Sequence, residues 1–459
     1  MRQRHRKATP MKTITESARE LPVACEVDVC VLGGSCTGVF AAVAAAREGA
    51  SVALVERQGF FGGMATAALV SVWHSDMDTE FSRVIIGGLT REVIDRLAKR
   101  DAVIMHKENP HSSFVLGTEE LKCELDELVT GAGVTPLLHS RFAAPVLDEE
   151  TPGSVAAAVI EDKSGRRAIR AKVFIDATGD GDLIARVPYS FTKRDDLQPP
   201  TMCVRLAGVT DQGALSEAIS GAMEAGALPH GFAWWTGVAG APGELMLAGT
   251  RVPDCDCSDA DSLTHAEIEG RRQVRALVDY IRGHARGCEG MRVSVLPASI
   301  GIRETRHCEC LHTLTEEEVL SGLRFDDAVA NGSYRVDVHH SDKPGLTFRY
   351  LDGREEYVVP GAETVRGRWR EETGESPTFY QIPYRSLVPR GSANVLVAGR
   401  LMGADRGAYG AVRVMVNCNQ TGEAAGTAAA ICAASGSGVA DVDAPELRGR
   451  MSAAGSVIV

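Results

Sequence analysis

Residues 33–38 read Gly-Gly-Ser-Cys-Thr-Gly, the composition of a backbone turn that can approach a phosphate closely. Glycine keeps Cβ atoms out of the way, and the N–H groups of a following helix point at the anion with the helix dipole behind them. The spacing is Gly33-x-Ser35-x-x-Gly38, with Gly34 and Cys36 inside it. Serine at the middle position still admits close contact and adds a hydroxyl donor. Glu56 stands 56 − 38 = 18 residues beyond Gly38, where a carboxylate accepts from a ribose hydroxyl. Arg57 follows it, and Gly62-Gly63-Met64 lets backbone pass beside a diphosphate or sugar chain where side chains would collide. The chemistry implied is dinucleotide binding. The competing reading is a tight turn in another doubly wound sheet.

Those residues need a strand, a helix and a second strand to hold them. Val27 to Leu32 reads as a short buried strand and Phe40 to Arg47 as an alanine-rich helix stopped by Gly49. Ser51 to Glu56 is a second buried strand. Together they match one βαβ unit of about 30 residues, for which one handedness is allowed. Thr118 to Val134 predicts a helix leading into a strand at 135–139 of the same sheet. Ala143 to Ile175 alternates around turns at Pro152-Gly153 and Ser164-Gly165, an antiparallel meander ending in the buried strand 173–175. Asn394 to Ala398 is another buried strand, and Val412 to Ala434 one long helix of small residues. The stretch from about Met202 to Val388 is mixed, with tryptophans, prolines and acidic loops.

Further motifs appear in a single order. Phe174-Ile-Asp-Ala-Thr178-Gly179-Asp-Gly-Asp182 closes the meander, Gly301-Ile-Arg-Glu-Thr-Arg306 and Ile382-Pro-Tyr-Arg-Ser-Leu387 follow, and Asn394-Val-Leu-Val-Ala-Gly399-Arg400 opens the last helical segment. With Gly33-Gly34-Ser35 and the Gly62-Gly63 stretch, the combination resembles the broad bacterial family of FAD-dependent oxidoreductases with the glutathione-reductase-like fold, over about Thr13 to Ala434. The resemblance implies an α/β protein: a Rossmann-like FAD-binding domain, with central parallel sheet and β-meander, carrying an inserted α+β substrate lobe. It implies FAD held through Gly33, Gly34, Ser35, Gly38, Glu56, Gly62, Gly63, Thr178 and Gly179, with Cys36, Arg57, Met64, Gly399 and Arg413 beside them. Residues 410–416 are expected to offer helix N–H groups to the flavin N1/O2 edge. The expected division is a flexible leader at 1–24, an FAD domain from 25–70, 118–200 and 389–440, a cap from 71–117 and 201–388, and a tail at 441–459.

For the reaction, Arg303 offers a planar fork for a carboxylate or a polarising charge on a carbonyl. Its bland alternative, shared with Arg306, is buttressing of the lobes against Glu304. Tyr384 and Arg385 fall in a segment the resemblance sets beside the flavin; otherwise they form a turn anchored by a buried tyrosine. His74 is a candidate to face the flavin, and His339 or His340 to act as a base, against the commoner role of satisfied structural histidines. Arg413 and Asn417, four apart, are read as one face of the last helix. His307-Cys308-Glu309-Cys310-Leu311-His312 and Cys255-Asp256-Cys257 are dense in ligand types. Cys-x-Cys lacks the usual zinc spacing and is taken to alternate in direction along a strand, so no metal is expected and the thiols are read as exposed. No second glycine motif for NAD(P) is present, and Cys30 and Cys36 make a doubtful redox pair.

The chain has 459 residues and a net charge of 49 − 61 = −12, with no concentrated basic face, which argues against nucleic acid and anionic membranes as partners. No apolar run reaches the roughly 18 residues of a membrane span. Arg2, Arg4, Arg6 and Lys7 lack the apolar stretch of an export signal, and a start at Met11 is an alternative. The twelve cysteines read as reduced thiols, and the expected location is the cytoplasm. The expected function is hydride transfer from a small organic substrate to flavin N5, with reoxidation by oxygen or an external acceptor, and self-association left open. The rivals are a flavin monooxygenase, a flavin-binding module without turnover, and a metal-dependent protein. Ala233-Trp-Trp-Thr-Gly237 does not match the flavin-halogenase signature.

Overall fold

A first strand, β1 (Val23–Leu32), carries the sheet on which the rest is built. The structure, a computed structural model, describes residues 12–106, 108–111, 113–228, 233–359 and 362–459. The basic leader, with its alternative start at Met11, lies outside them. β1 runs parallel to β2 (Val52–Val55) on one side and to Gly165–Asp176 on the other. Val29 to Leu32 and all of β2 are buried, as expected of parallel strands covered on both faces. Helix α1 (Cys36–Arg47) joins β1 to β2 and is capped by Ser35, whose hydroxyl accepts from the Gly38 amide.

The sheet has seven strands. Thr135–Leu137 adds parallel to β2, and the helix Thr118–Gly131 leads into it. Arg141–Leu147 and Val155–Asp162 form an antiparallel meander with the first half of Gly165–Asp176. The second half of that strand takes Val395–Val397 as a parallel neighbour. One twelve-residue strand therefore joins the meander to the strand that returns from the far end of the sequence. The αβ fold expected above is the one observed.

A second apolar core lies under Cys203–Ala207 and Glu244–Ala248, where the helices Gln212–Glu224 and Ala260–His284 cover a four-stranded sheet. A separate meander runs through Val336–His339, Leu346–Arg349, Arg354–Val358 and Val365–Arg368. The helix Gly88–Ala98, by contrast, buries Val93, Ile94 and Leu97 in the main core, against the helices Thr118–Gly131 and Met415–Ser435.

The helix expected over Val412–Ala434 is broken. A short helix, Arg406–Val412, ends at Arg413; Val414 is extended (φ −65°, ψ 146°), and the long helix runs Met415–Ser435. Arg413 and Asn417 therefore do not share a helix face. Arg413 reaches Asp337 Oδ2 at 3.1 Å, whereas Asn417 donates to the Tyr380 hydroxyl at 2.8 Å and to the Ala411 carbonyl. Among the described residues no helix is long and apolar enough to cross a membrane.

Candidate active site

The turn at the carboxyl end of β1 is held by its own glycines and by an acid. A Cβ on Gly38 would stand 1.8 Å from the Gly33 carbonyl oxygen, so α1 can start this close to the turn only with glycine there. Gly34 donates from its backbone N–H to Glu56 Oε2 at 2.7 Å, and Gln58 does the same to Oε1. The carboxylate expected to meet a ribose thus also ties β2 to the turn. Gly34 and Gly38 shape the wall without lining it.

Gly33, Ser35, Cys36, Glu56, Arg57, Gly62, Gly63, Met64, Thr178, Gly179, Gly399 and Arg413 line one elongated cavity. Segments from the start, middle and end of the chain meet there. The first-turn amides of α1 have no acceptor within the helix. Asp176, buried at the end of its strand, accepts from the amides of Thr178, Leu183 and Ile184 and braces the Thr178-Gly179 turn. Burial pushes its carboxyl up to about 6, against those hydrogen bonds.

Two observations fit a dinucleotide in this cavity. Gly33, Gly62, Gly63, Gly179 and Gly399 leave part of its wall to bare backbone. Asn419, on the cavity wall and fully buried, has neither amide atom hydrogen-bonded among the described residues. A buried orphan amide is costly in a finished core but has partners when a polar ligand edge lies against it. Asn419 escaped the sequence reading, although its signal was present: a polar residue in a helix buried on all sides.

A second cavity of about 420 Å³ opens beside the first, sharing Met64, Ile302, Arg400, Arg413 and Met415 with it. It gathers Arg303, His74 and His339 from the residues singled out in sequence, together with Trp234, Trp235, Tyr334, Arg335 and Asp337, which had not been assigned. Arg303 Nη1 donates to the Pro199 carbonyl and to Thr201 Oγ1, both at 2.6 Å. Burial, reinforced by Arg413, brings its guanidinium down to about 10. Asp337 accepts from Tyr334 and from Arg413, each at 3.1 Å. Burial opposes its charge, but the close contact with His339, 3.3 Å from Nε2 to Oδ1, and the attraction of Arg413 and Arg335 outweigh it and hold the carboxyl well below the usual range.

The histidines of this cavity are neutral at pH 7. Burial lowers His74 and His339 to about 3, and His111 to about 4. His74 stands edge-on to Tyr334, ring centroids 4.2 Å apart, and its Nδ1 has no hydrogen bond among the described residues. His340 is turned to Thr347 Oγ1 and does not line the cavity.

Tyr384 and Arg385 line neither cavity. Tyr384 is buried with its hydroxyl on the Val439 carbonyl, and Arg385 pairs with Asp327 at the surface. Nor does Glu304 buttress Arg303 or Arg306. It pairs with Arg194 and His307, while Arg306 donates to the Asp180 carbonyl. Cys255, Cys257, Cys308 and Cys310 are buried, not exposed. Cys308 ends the strand Arg306–Cys308 and Cys310 lies just beyond it in extended chain, where residues two apart share a face, and both join the same apolar cluster. His307 and His312 are engaged with Glu304 and Glu318. Among the described residues no three metal-ligating side chains converge.

The profile of a family described as FAD dependent oxidoreductase matches residues 28–451. No curated protein matches the sequence significantly. Among solved structures, a geranylgeranyl bacteriochlorophyll reductase-like protein from Thermoplasma acidophilum is 12% identical, with a TM-score of 0.44 over 93% of this chain and 83% of that one. A flavin-dependent brominase is 11% identical, with a TM-score of 0.44 over 89% and 80%. A p-nitrophenol 4-monooxygenase from Pseudomonas putida is 12% identical, with a TM-score of 0.38 over 63% and 70%.

Proposed function

The chain belongs to the FAD-dependent oxidoreductase family, and from that premise we propose that it is a dehydrogenase or oxidase that takes a hydride from a small organic substrate held in the second cavity. One observation carries the reading. The substrate-sized cavity and the glycine-lined one share a wall at Met64, Ile302, Arg413 and Met415, so a ligand in each would be in contact there.

The residues then divide as follows. The Gly33–Gly38 turn and the α1 amides take the diphosphate, Glu56 and Arg57 the ribose side, and Gly62, Gly63 and Met64 the chain between the two halves. Thr178, Gly179 and Gly399 close over the cofactor. Asn419 and the free amides that start the long helix meet the polar edge of the ring. Bound FAD supplies a two-electron acceptor that passes its electrons on to oxygen or an external acceptor.

The chain's own part in the reaction is to position and to handle protons. Arg303, braced through Nη1, orients the substrate. His74 is neutral, buried and unpaired at Nδ1, and it exchanges the substrate proton there. Trp234 and Trp235 help keep water from the chamber.

The test is an absorption spectrum of the purified protein before and after heat denaturation, followed by anaerobic substrate screening. Flavin bands released to the supernatant, and bleaching by substrate without oxygen, are expected. A colourless protein that takes up no added FAD overturns the flavoenzyme reading. Flavin that is reduced only by added nicotinamide cofactor overturns the dehydrogenase assignment.

A further inference from the structure

We infer that the second cavity takes a carboxylic acid with an apolar body, its carboxylate held by Arg303 and Arg335. The inference rests on that cavity being the substrate chamber of the flavoenzyme proposed above.

Four guanidiniums line the chamber, those of Arg303, Arg335, Arg400 and Arg413, but only one carboxylate, that of Asp337; Arg400 is paired outside the lining with Asp180. Asp337 is engaged by Arg413. Among the described residues neither Arg303 nor Arg335 forms an ion pair with a carboxylate, and no Asp or Glu of the chain lies outside the described residues. The histidines do not supply the missing charge. His111 Nε2 lies 2.7 Å from Arg335 Nη1 and accepts from it, which requires a neutral ring. His74 and His339 are neutral through burial.

Asp337 attracts Arg303 and Arg335 as well as Arg413, but one carboxylate cannot balance three guanidiniums, and holding the surplus cations beside one small chamber is costly unless an anion joins them. The geometry favours a planar anion. Arg303 is anchored by Nη1 alone, and no hydrogen bond among the described residues occupies Nε or Nη2, the edge that grips a carboxylate with two parallel bonds. Arg335 lies over the Phe348 ring, 3.4 Å from its centroid, which fixes the plane of its fork. Part of the remaining wall is apolar, formed by Val70, Val72, Trp234, Trp235 and Leu346, and part is polar but uncharged, with Asn109, Thr201 and Tyr334. A carboxylate at one end and a hydrocarbon or aromatic body at the other matches the cationic and the apolar parts of that lining.

The test uses the FAD-loaded enzyme, with flavin content read separately from its absorption spectrum. Phenylacetate, phenylacetamide and phenyl phosphate are titrated at constant ionic strength by calorimetry and by quenching of tryptophan fluorescence. Phenylacetate is expected to bind at least about ten-fold more tightly than the amide. Arg303→Met and Arg335→Met should each remove most of that preference, and Arg303→Lys should restore part of it, with charge kept and the fork lost. Equal affinity for acid and amide in the unaltered protein overturns the inference and needs no variant to fold. So does a preference that survives both Met substitutions, tighter binding of phenyl phosphate than of phenylacetate, or no binding of any probe at millimolar concentration. Protein that holds no flavin fails the flavoenzyme reading; yellow protein indifferent to the probe's charge fails this inference alone.

Discussion

Gly426 in the long helix lies against the Ala41 carbonyl of α1: a Cβ built on the glycine would stand 2.0 Å from that oxygen. Gly422 repeats the contact one turn earlier, 2.2 Å from the Thr37 carbonyl. The two helices therefore cross backbone to backbone, and the crossing sets the distance between the start of α1 and Asn419, both of which line the first cavity. Gly426→Ala is expected to destabilise the protein by at least about 3 kcal/mol and to speed FAD loss, because the clash is with backbone and cannot be relieved by a rotamer. Gly449, in the helix Ala444–Ala453 with open space where a Cβ would sit, is the control. Gly449→Ala should be neutral or stabilising by up to about 1 kcal/mol. Thermal melts of both decide; equal melting temperatures would remove the contact from the account.

Asn419 separates ligand binding from stability. Its amide is unsatisfied among the described residues, so Asn419→Ala removes a burial penalty from the unliganded protein and, on the proposed reading, a partner from the cofactor. The melting temperature without FAD should hold or rise, and FAD affinity should fall by about ten-fold. A variant that loses stability without FAD, yet binds FAD as before, would make Asn419 a packing residue.

Much of the fold could be read because its signals are local. β1 and β2 are continuous apolar runs since both faces are covered, and the glycine turn punctuates them. The meander alternates around two glycine turns. The break at Arg413-Val414 has no such signal: nothing in either residue stops a helix, and at the break Arg413 is tied to Asp337 on a strand distant in sequence. The grouping of the glycine-rich segments around one cavity was legible for the same local reason as the turn. The second cavity was legible only in part: Arg303, His74 and His339 stood out by residue type, whereas Trp234, Arg335 and Asp337 come from separate segments joined only by tertiary packing. Cys-x-Cys misled through geometry, since neighbours two apart in extended chain share a face and these faced inward.

Tyr384 and Arg385 should matter to folding and not to turnover. Tyr384→Phe leaves the Val439 carbonyl without its donor in a buried setting and is expected to cost about 1–2 kcal/mol. Arg385→Ala loses a half-exposed pair with Asp327, worth less than about 1 kcal/mol. Substrate and FAD affinities measured on the folded variants should match the parent. A large loss of binding with unchanged stability would return either residue to the site.

Glu423 gives the fold a pH dependence of definite sign. It is buried in the long helix, accepts from the Leu89 amide and the Ser456 hydroxyl, each at 3.0 Å, and so ties the start of the Gly88–Ala98 helix and the carboxy-terminal segment to the core. Burial raises its carboxyl to about 7, against those hydrogen bonds and the attraction of Arg47. A carboxyl raised in the folded state binds its proton more tightly there than in the unfolded chain. The stability it contributes is complete below the unfolded value near 4.5, and it is lost as pH rises through about 7. Across that window the loss is about 3 kcal/mol. Glu423→Gln keeps the acceptor for Leu89 and cannot ionise, so the variant lacks this slope. Its melting temperature relative to the parent should rise between pH 5 and pH 8, whatever its value at pH 5. A difference that stays flat across that range would mean that Glu423 ionises in the folded protein as readily as in the unfolded one.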